Sequence, residues 1–250
     1  MSYSIALAGK GGTGKTTVAG FAVSYLVGHG KTPVLAVDAD ANANFNEVLG
    51  VQVYSTLGDA REEMKKGVST GITKDVYMEM KLQQSVVEGE GFDLVVMGRP
   101  EGSGCYCAAN SLLTMYLEKL IKNYPFMVTD NEAGMEHLSR LTTNNVDLLL
   151  VVSDPTRRGL HAAARIIDLT TELNLSVGST VVIVNQVREG QQAAAAAEAA
   201  RLSLPVQAFV PEDKAVVECD LTGAPSSVLG KESLAVAEIH KLFDKIFMKS

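Results

Sequence analysis

Residues 9–16 read GKGGTGKT, directly after the apolar run Ser4–Ala8 and at the start of a helical pattern over Thr16–Val27. The octet fits the phosphate-loop pattern G-x-x-x-x-G-K-[ST], which requires a strand before it and a helix after it. Glycines let the backbone curl so that successive N–H groups point at phosphate oxygens, and the helix N-terminus adds partial positive charge. The octet therefore predicts a nucleotide site on an α/β fold.

Two side chains of this loop have predicted roles on ATP and Mg²⁺. We expect Lys15 to reach the β- and γ-phosphates and the Thr16 hydroxyl to bind Mg²⁺. The remaining members contribute mainly backbone N–H groups. The predicted nucleotide-binding residues of this segment are Gly9, Lys10, Gly11, Gly12, Thr13, Gly14, Lys15, Thr16 and Thr17.

Short apolar runs alternate with helical patterns along the whole chain. Continuous β-branched or Leu-rich runs bounded by Gly, Pro or Asp are typical of strands covered on both faces. This alternation predicts a doubly wound, mostly parallel sheet with helices on both faces, the P-loop NTPase architecture, in one domain over residues 1–250. The further predicted strands are 33–37, 93–97, 126–129, 147–153, 180–184 and 206–210, and the further predicted helices are 111–122, 159–173, 191–202 and 232–248.

Residues 54–91 interrupt the alternation. They contain LGDAREEMKKG and DVYMEMKLQQSVVEG, which read as helix and loop without a clear strand. We interpret this segment as an insertion between two strands.

Charge and composition exclude several classes of protein. The 22 Lys and Arg against 29 Asp and Glu give a net charge of −7, which argues against broad nucleic-acid binding. No apolar run approaches the roughly 18 residues of a membrane span. Met1–Tyr3 leads into an apolar run with no basic region of a secretory signal, and three cysteines cannot form a disulfide framework. We expect a cytoplasmic protein without a membrane or nucleic-acid partner.

Lys10 narrows the class of phosphate loop to which the motif belongs. With a second lysine in the form G-K-G-G-x-G-K-T, the sequence resembles the MinD/ParA/nitrogenase-iron-protein class of deviant Walker A ATPases. In that class the extra lysine reaches the nucleotide of the opposite subunit and acts there like an arginine finger. The resemblance implies a homodimer that sandwiches ATP, with Lys10 and Lys15 as catalytic residues.

The resemblance also assigns polar residues at later strand ends. It implies that Asp40 orients or activates the attacking water, and that Asp38 supports Mg²⁺ through water. Asp130 follows a strand at the place of a Walker B aspartate and is a further magnesium candidate. Glu132 and Gly134 then lie in the predicted switch loop. The resemblance further implies that Asn185 contacts the adenine base. It also implies that a loop formed by Pro211, Glu212 and Asp213 closes over that base.

A pair of thiols lies outside these motifs. Cys105 and Cys107, in a glycine-flanked loop, can chelate one soft metal ion, and a helix starting near Asn110 would favour their thiolates. Two thiolates are half of a four-ligand shell, which two chains would complete. From spacing alone, two small buried residues are an equal alternative.

The C-Y-C-A-A-N loop and the segment D-N-E-A-G-M-E-H-L-S-R (130–140) resemble the CooC-type maturation ATPases. Those proteins serve nickel insertion into carbon monoxide dehydrogenase, and close relatives serve acetyl-CoA synthase. The resemblance implies that Cys105 and Cys107 bind Ni²⁺ or Zn²⁺ between subunits, and that apo CO dehydrogenase or acetyl-CoA synthase is the client. Cys219 lies outside any motif, and we interpret it as a packed thiol.

Three alternatives remain. An electron-transfer iron protein would need a second cluster cysteine soon after the switch loop, where the sequence has none before Cys219. The second alternative is a MinD/ParA-like positioning ATPase, which is supported by an apolar stripe on the last helix. Such a stripe could lie on a membrane, but more commonly it docks on its own domain. The stripe comprises Ile239, Leu242, Phe243, Ile246 and Phe247. The third alternative is an iron–sulfur scaffold ATPase, which could also use a cysteine pair.

Overall fold

The computed structural model describes residues 2–40, 44–65, 73–98, 115–131 and 145–247. Its centre is an eight-stranded sheet in the order β3-β4-β2-β5-β1-β6-β7-β8, in which every neighbouring pair is parallel except β3 and β4. The predicted fold class is thereby confirmed. The strands are β1 (Tyr3–Gly9), β2 (Val34–Ala39), β3 (Val86–Glu88), β4 (Phe92–Val96), β5 (Phe126–Asn131), β6 (Asn145–Ser153), β7 (Ser176–Val187) and β8 (Val206–Pro211).

Helices lie on both faces of this sheet. Their bounds are α1 (Lys15–Gly28), α2 (Phe45–Leu49), α3 (Leu57–Lys65), α4 (Lys74–Gln84), the described part of α5 (115–121), α6 (Arg157–Glu172), α7 (Gln192–Arg201), α8 (Lys214–Thr222) and α9 (Leu234–Phe247). A 3₁₀ turn, Ser226–Val228, connects the last two. The short helices α2 and α8 carry too few residues for a clear periodic pattern, which is why the sequence did not predict them.

The alternation of side chains along β1 explains why two cores form. Ile5 and Leu7 belong to the hydrophobic cluster that contains α1 and α9, whereas Ala6 and Ala8 face the cluster that contains α6. Because successive strand residues point to opposite faces, a strand in the middle of such a sheet must be apolar throughout. All four of these side chains are buried. This places the carboxyl end of β1, and the loop after it, at the centre of the sheet edge.

The prediction that residues 54–91 contain no strand is wrong. They form α3 and α4, followed by the three-residue strand β3, which pairs antiparallel with β4. Gly89 closes the tight turn between the two strands, and its N–H donates to the Phe92 carbonyl at 2.8 Å. A three-residue edge strand is too short to show an alternating pattern, so only its pairing reveals it.

The last helix docks on its own sheet face. Ile239, Leu242 and Phe243 of α9 are buried, and Ile246 and Phe247 are half-buried against the same core. The apolar stripe is therefore covered by the chain itself. Within the described ranges, no helix is long and apolar enough to cross a membrane.

Candidate nucleotide site

Hydrogen bonds within the phosphate loop hold its conformation. The Thr13 hydroxyl donates to the Lys10 carbonyl at 2.9 Å, and Lys15 Nζ lies 3.4 Å from the same oxygen. Gly12 and Gly14 have φ of 79° and 82°, the left-handed region in which glycine carries no steric penalty. Lys15 is the first residue of α1 and is almost fully buried. The loop therefore wraps around a lysine ammonium at a helix N-terminus, as a phosphate site requires.

The end of β7 holds this loop from the other side. Asn185 is buried, and its Nδ2 donates to the Thr13 carbonyl at 2.9 Å, while Gln186 Nε2 donates to the Gly12 carbonyl at 3.3 Å. Asn185, which the sequence predicts to contact adenine, therefore braces the phosphate loop. The sequence analysis did not identify Gln186, whose contact with the loop and φ of 58° leave no signal in the sequence.

Asp38 and Asp130 come together at the edge of the sheet. They are register partners on the adjacent strands β2 and β5, and both are fully buried. The Thr16 hydroxyl donates to Asp130 Oδ2 at 2.6 Å. The predicted magnesium residues therefore meet, although they lie far apart in the sequence.

Burial governs the protonation of both carboxyls. It raises the pKa of Asp130 to about 7, and the charge of Asp38 adds to the rise, while the hydrogen bond from Thr16 lowers it. Burial also raises the pKa of Asp38 to about 6, although backbone hydrogen bonds from Phe45 and Asp40 oppose it. Two neighbouring buried carboxylates need a cation to remain ionised together.

The donor set fits Mg²⁺. Asp130 Oδ1 is buried and has no hydrogen-bond partner in the described part of the chain. A carboxylate oxygen, a second carboxylate and a threonine hydroxyl are hard ligands of the kind that Mg²⁺ takes together with waters and phosphates. Asp130 and Thr16 would hold the ion, with Asp38 behind them, and the bound ion would neutralise charge on the phosphates.

A cavity of about 540 Å³ opens beside the loop. This volume suits a nucleotide, since small-molecule sites typically measure about 300–1,000 Å³. The sequence predicted a large part of its polar lining, namely Gly11, Gly12, Gly14, Lys15, Thr16, Thr17, Asp40, Asn185, Pro211, Glu212 and Asp213. Gly9, Lys10 and Thr13 lie in the loop but do not line the cavity, and the buried Asp38 and Asp130 do not line it either.

The inner wall of the cavity was missed. Its apolar members belong to α1, α2, α8 and α9 or directly follow α8, and on sequence alone they read as ordinary core, whereas its polar members carry no motif. Cys219 is a free, buried thiol, as predicted, and it also belongs to this wall. The missed lining residues are Val18, Phe21, Asn44, Glu47, Val48, Gln186, Val216, Val217, Cys219, Asp220, Gly223, Ala224, Ser226 and Ala235.

Asp213 ties the base end of the cavity to the last helix. It is the N-cap of α8, and its Oδ1 accepts from the Ala215 N–H at 2.8 Å. Its Oδ2 accepts from the Ser233 hydroxyl at 2.7 Å and from the Ala235 N–H at 3.1 Å. The neighbouring Glu212 forms a bidentate ion pair with Arg188. These bonds fix the predicted base loop to two helices.

Lys10 points away from its own cavity. Its side chain is exposed and lines a separate concave surface together with residues of α6. The four predicted site residues Cys105, Cys107, Glu132 and Gly134 lie outside the described residues. In the part of the chain that the structure describes, no group of three His, Cys, Asp or Glu side chains is placed to hold a metal ion.

Gly14→Ala should weaken nucleotide binding. A Cβ at this position would lie 2.5 Å from Asn185 Nδ2, in a backbone conformation that costs an alanine about 1–2 kcal/mol. We therefore expect the brace on Thr13 to break, ATP affinity to fall by roughly tenfold or more, and the melting temperature to drop. Calorimetric titration and thermal unfolding check this. Gly190→Ala, also at positive φ but with no atom near its Cβ, is the control; equal ATP affinity in both variants would contradict the brace.

Comparison with known proteins supports a nucleotide site. Residues 4–226 match the family described as the CobQ/CobB/MinD/ParA nucleotide binding domain. An uncharacterised ATP-binding protein of Methanocaldococcus jannaschii is 40% identical over 250 residues, which cover 98% of each chain. The carbon monoxide dehydrogenase accessory protein CooC of Rhodospirillum rubrum is 34% identical over 185 residues, 68% of this chain and 70% of that protein. The cell division ATPase MinD of Pyrococcus furiosus superposes over both whole chains with a TM-score of 0.71 at 23% identity, a likeness of fold alone.

Proposed function

Because the chain belongs to the CobQ/CobB/MinD/ParA nucleotide-binding family and is an ATP-hydrolysing P-loop ATPase, we propose that it is a nickel-maturation ATPase. In this proposal ATP brings two copies together, and hydrolysis separates them again. Ni²⁺, held by Cys105 and Cys107 of both copies, is the cargo. The client is an apo CO dehydrogenase or acetyl-CoA synthase.

One contact carries the ATP-driven part of the proposal. Thr16 Oγ1 donates to Asp130 Oδ2 at 2.6 Å, while Asp130 Oδ1 is buried without a partner in the described part of the chain. Nucleotide and Mg²⁺ bound here would act on the chain two residues before Glu132 and four before Gly134. These are the positions that a switch needs in order to respond to a γ-phosphate.

Two observations support the nickel and client part. The chain is 34% identical to the CO dehydrogenase accessory protein CooC of Rhodospirillum rubrum over 68% of its length. The sequence also carries Cys105-Tyr106-Cys107. Soft thiolate ligands from two chains could provide either a tetrahedral site for Zn²⁺ or a square-planar site for Ni²⁺.

Reconstitution with purified apo CO dehydrogenase tests the function. The nickel-loaded chain should activate the apoenzyme with ATP and not with a non-hydrolysable analogue, and Lys15→Ala should fail in both cases. Activation that is independent of ATP, or none at all, would contradict the proposal. Iron bound after anaerobic purification would point to an iron–sulfur scaffold. Sedimentation with liposomes in ATP would point to a positioning ATPase.

Lys10→Ala should spare ATP binding and stop turnover. The Lys10 side chain is exposed and outside its own cavity, so its removal leaves that cavity intact. If it completes the site of a second copy, hydrolysis should fall by about 10³-fold or more, as when a trans-acting cation is removed. ATP affinity and steady-state phosphate release measure the two effects. Turnover at the wild-type rate would contradict a role in trans.

A further inference from the structure

The nucleotide cavity continues past the phosphate loop along α1. Its wall passes from Thr17 and Val18, beside the loop, to Phe21 one helical turn further on. At about 1.5 Å per residue, Phe21 lies about 6 Å from Thr17 along the axis of α1. We call this part of the cavity the inner end. It is lined by Val18, Phe21, Val48, Val216, Cys219, Ala224, Ser226 and Ala235.

One hydroxyl of the inner end has no hydrogen-bond partner among the residues that the structure describes. Ser226 is the first residue of the 3₁₀ turn, it is 1% exposed, and its Oγ is unpartnered. The Ser226 carbonyl, by contrast, accepts from the Leu229 N–H at 3.1 Å. A buried hydroxyl without a partner lowers the stability of a fold, and such groups are rare. In the wall of a binding cavity, an unpartnered hydroxyl indicates a ligand that supplies the missing hydrogen bond.

The neighbours of Ser226 pack against two helices. A Cβ on Gly20 of α1 would lie 3.7 Å from the Cβ of Ser227. A Cβ on Gly50, directly after α2, would lie 3.0 Å from the Pro225 ring. The 3₁₀ turn is therefore held from both sides. A hydroxyl whose backbone is fixed in this way loses little conformational freedom when a ligand binds to it.

The side chains predicted to recognise the base are engaged within the chain itself. Asn185 Nδ2 donates to the phosphate loop at 2.9 Å. Both carboxylate oxygens of Asp213 accept from groups of α8, α9 or the residue before α9, and Arg188 binds the Glu212 carboxylate. The Ser226 hydroxyl, by contrast, retains both its donor and its acceptor capacity.

We propose that the inner end receives the base of the bound nucleotide and that the Ser226 hydroxyl forms a hydrogen bond with it. A purine is a flat ring system with polar groups at its edge, and it fits an apolar wall that carries a hydroxyl. A serine hydroxyl can donate to a ring nitrogen or accept from an exocyclic amine, so adenine can satisfy it in either way. The inference rests on ATP binding at the phosphate loop, which the proposed function also requires, and on no property of the metal or the client.

Other occupants fit the inner end less well. A separate anion is disfavoured, because Glu47 and Asp220 line the neighbouring wall and none of the described residues at the inner end is cationic. A separate neutral molecule would have to bind by its own contacts alone. The base of a nucleotide is instead held nearby by its phosphates, which gives it a high effective concentration.

Ser226→Ala tests the proposal, because it removes the hydroxyl with little change in volume. Without nucleotide, thermal unfolding should show a variant at least as stable as the wild type, because an unpartnered buried hydroxyl is lost. In calorimetric titration its affinity for ATP should fall about tenfold, as expected when one buried hydrogen bond is lost. Its affinity for inorganic triphosphate, which has no base, should equal that of the wild type.

Two controls accompany this variant. Ser227→Ala changes the next residue, which is half-buried and does not line the cavity, so ATP affinity should not change. Titration with 2′-deoxy-ATP separates the base from the sugar. The tenfold difference between the wild type and Ser226→Ala should persist with this compound, because its base is the same as that of ATP.

The outcomes separate the inference from the proposed function. Equal ATP affinity in Ser226→Ala and the wild type would overturn the base contact, and so would an equal loss for ATP and inorganic triphosphate. A defect that disappears with 2′-deoxy-ATP would assign the hydroxyl to the ribose, which also overturns it. Lower stability of the variant without nucleotide would indicate a structural role instead. A wild type that binds neither ATP nor triphosphate would overturn the proposed function as well.

Discussion

Lys15→Ala should lose ATP binding and hydrolysis almost completely. The ammonium group is almost fully buried inside the phosphate loop, and its Nζ lies 3.4 Å from the Lys10 carbonyl, close to where phosphate oxygens would bind. Loss of a buried, charge-assisted contact typically costs about 2–5 kcal/mol, so affinity should fall by roughly 30- to 5,000-fold. Calorimetric titration with ATP and Mg²⁺ measures it.

Lys241→Ala is the matched control for this experiment. Lys241 is an exposed lysine of α9 whose ion pair is with Glu238, so ATP affinity should not change. The two lysines of the loop should also differ from each other, with Lys15→Ala defective in binding and Lys10→Ala defective only in turnover. An ATP affinity of Lys15→Ala equal to that of the wild type would place the phosphates elsewhere.

Serine at both Cys105 and Cys107 should remove metal binding. If four thiolates from two chains form one site, the wild type should hold one Ni²⁺ or Zn²⁺ per two chains, and the metal should favour the dimer without nucleotide. The double variant should hold none and should still bind ATP. Binding should also fall at acid pH, because thiolates must be deprotonated to act as ligands. Metal analysis combined with light scattering measures both quantities.

Cys219→Ser provides the control. This thiol is buried in the wall of the nucleotide cavity, and burial raises its pKa. It should therefore contribute no thiolate, and its variant should keep the wild-type metal content and metal-driven dimerisation. One tightly held ion per monomeric chain, or full metal content in the double variant, would rule out a shared site.

The fold and the position of the phosphate loop at the edge of the sheet could be predicted because they depend on local rules. A phosphate loop needs a strand before it and a helix after it, and carboxylates that end parallel strands must meet at one edge. The resemblance singled out Asp38 and Asp130, and the rule that parallel strands end at one edge explains why the two are register partners on β2 and β5. The hydrogen bond from the Thr16 hydroxyl to Asp130 could not be predicted from the sequence, because it depends on where α1 starts relative to β5.

What escaped prediction depends on tertiary contacts. Arg158 and Arg165 lie far from Lys10 in the sequence, and only the folded chain brings the three side chains to one concave surface. Gln186 donates to the phosphate loop from a backbone with positive φ, and neither feature can be predicted from a glutamine in the sequence. Apolar residues such as Phe21 carry the same periodicity whether they fill a core or line a cavity.

The hydrogen bonds of Asp213 connect the predicted base loop to the first turn of α9. The same carboxylate that caps α8 at the base loop also holds Ser233 and the Ala235 N–H. Opening the base loop must therefore release the start of α9, so the two segments share one local opening equilibrium. A nucleotide that keeps the loop closed should slow amide hydrogen exchange around Ala235, more than 20 residues along the chain from the loop. If ATP brings two copies together as proposed, exchange at this turn would follow nucleotide release even where the second copy covers the phosphate loop.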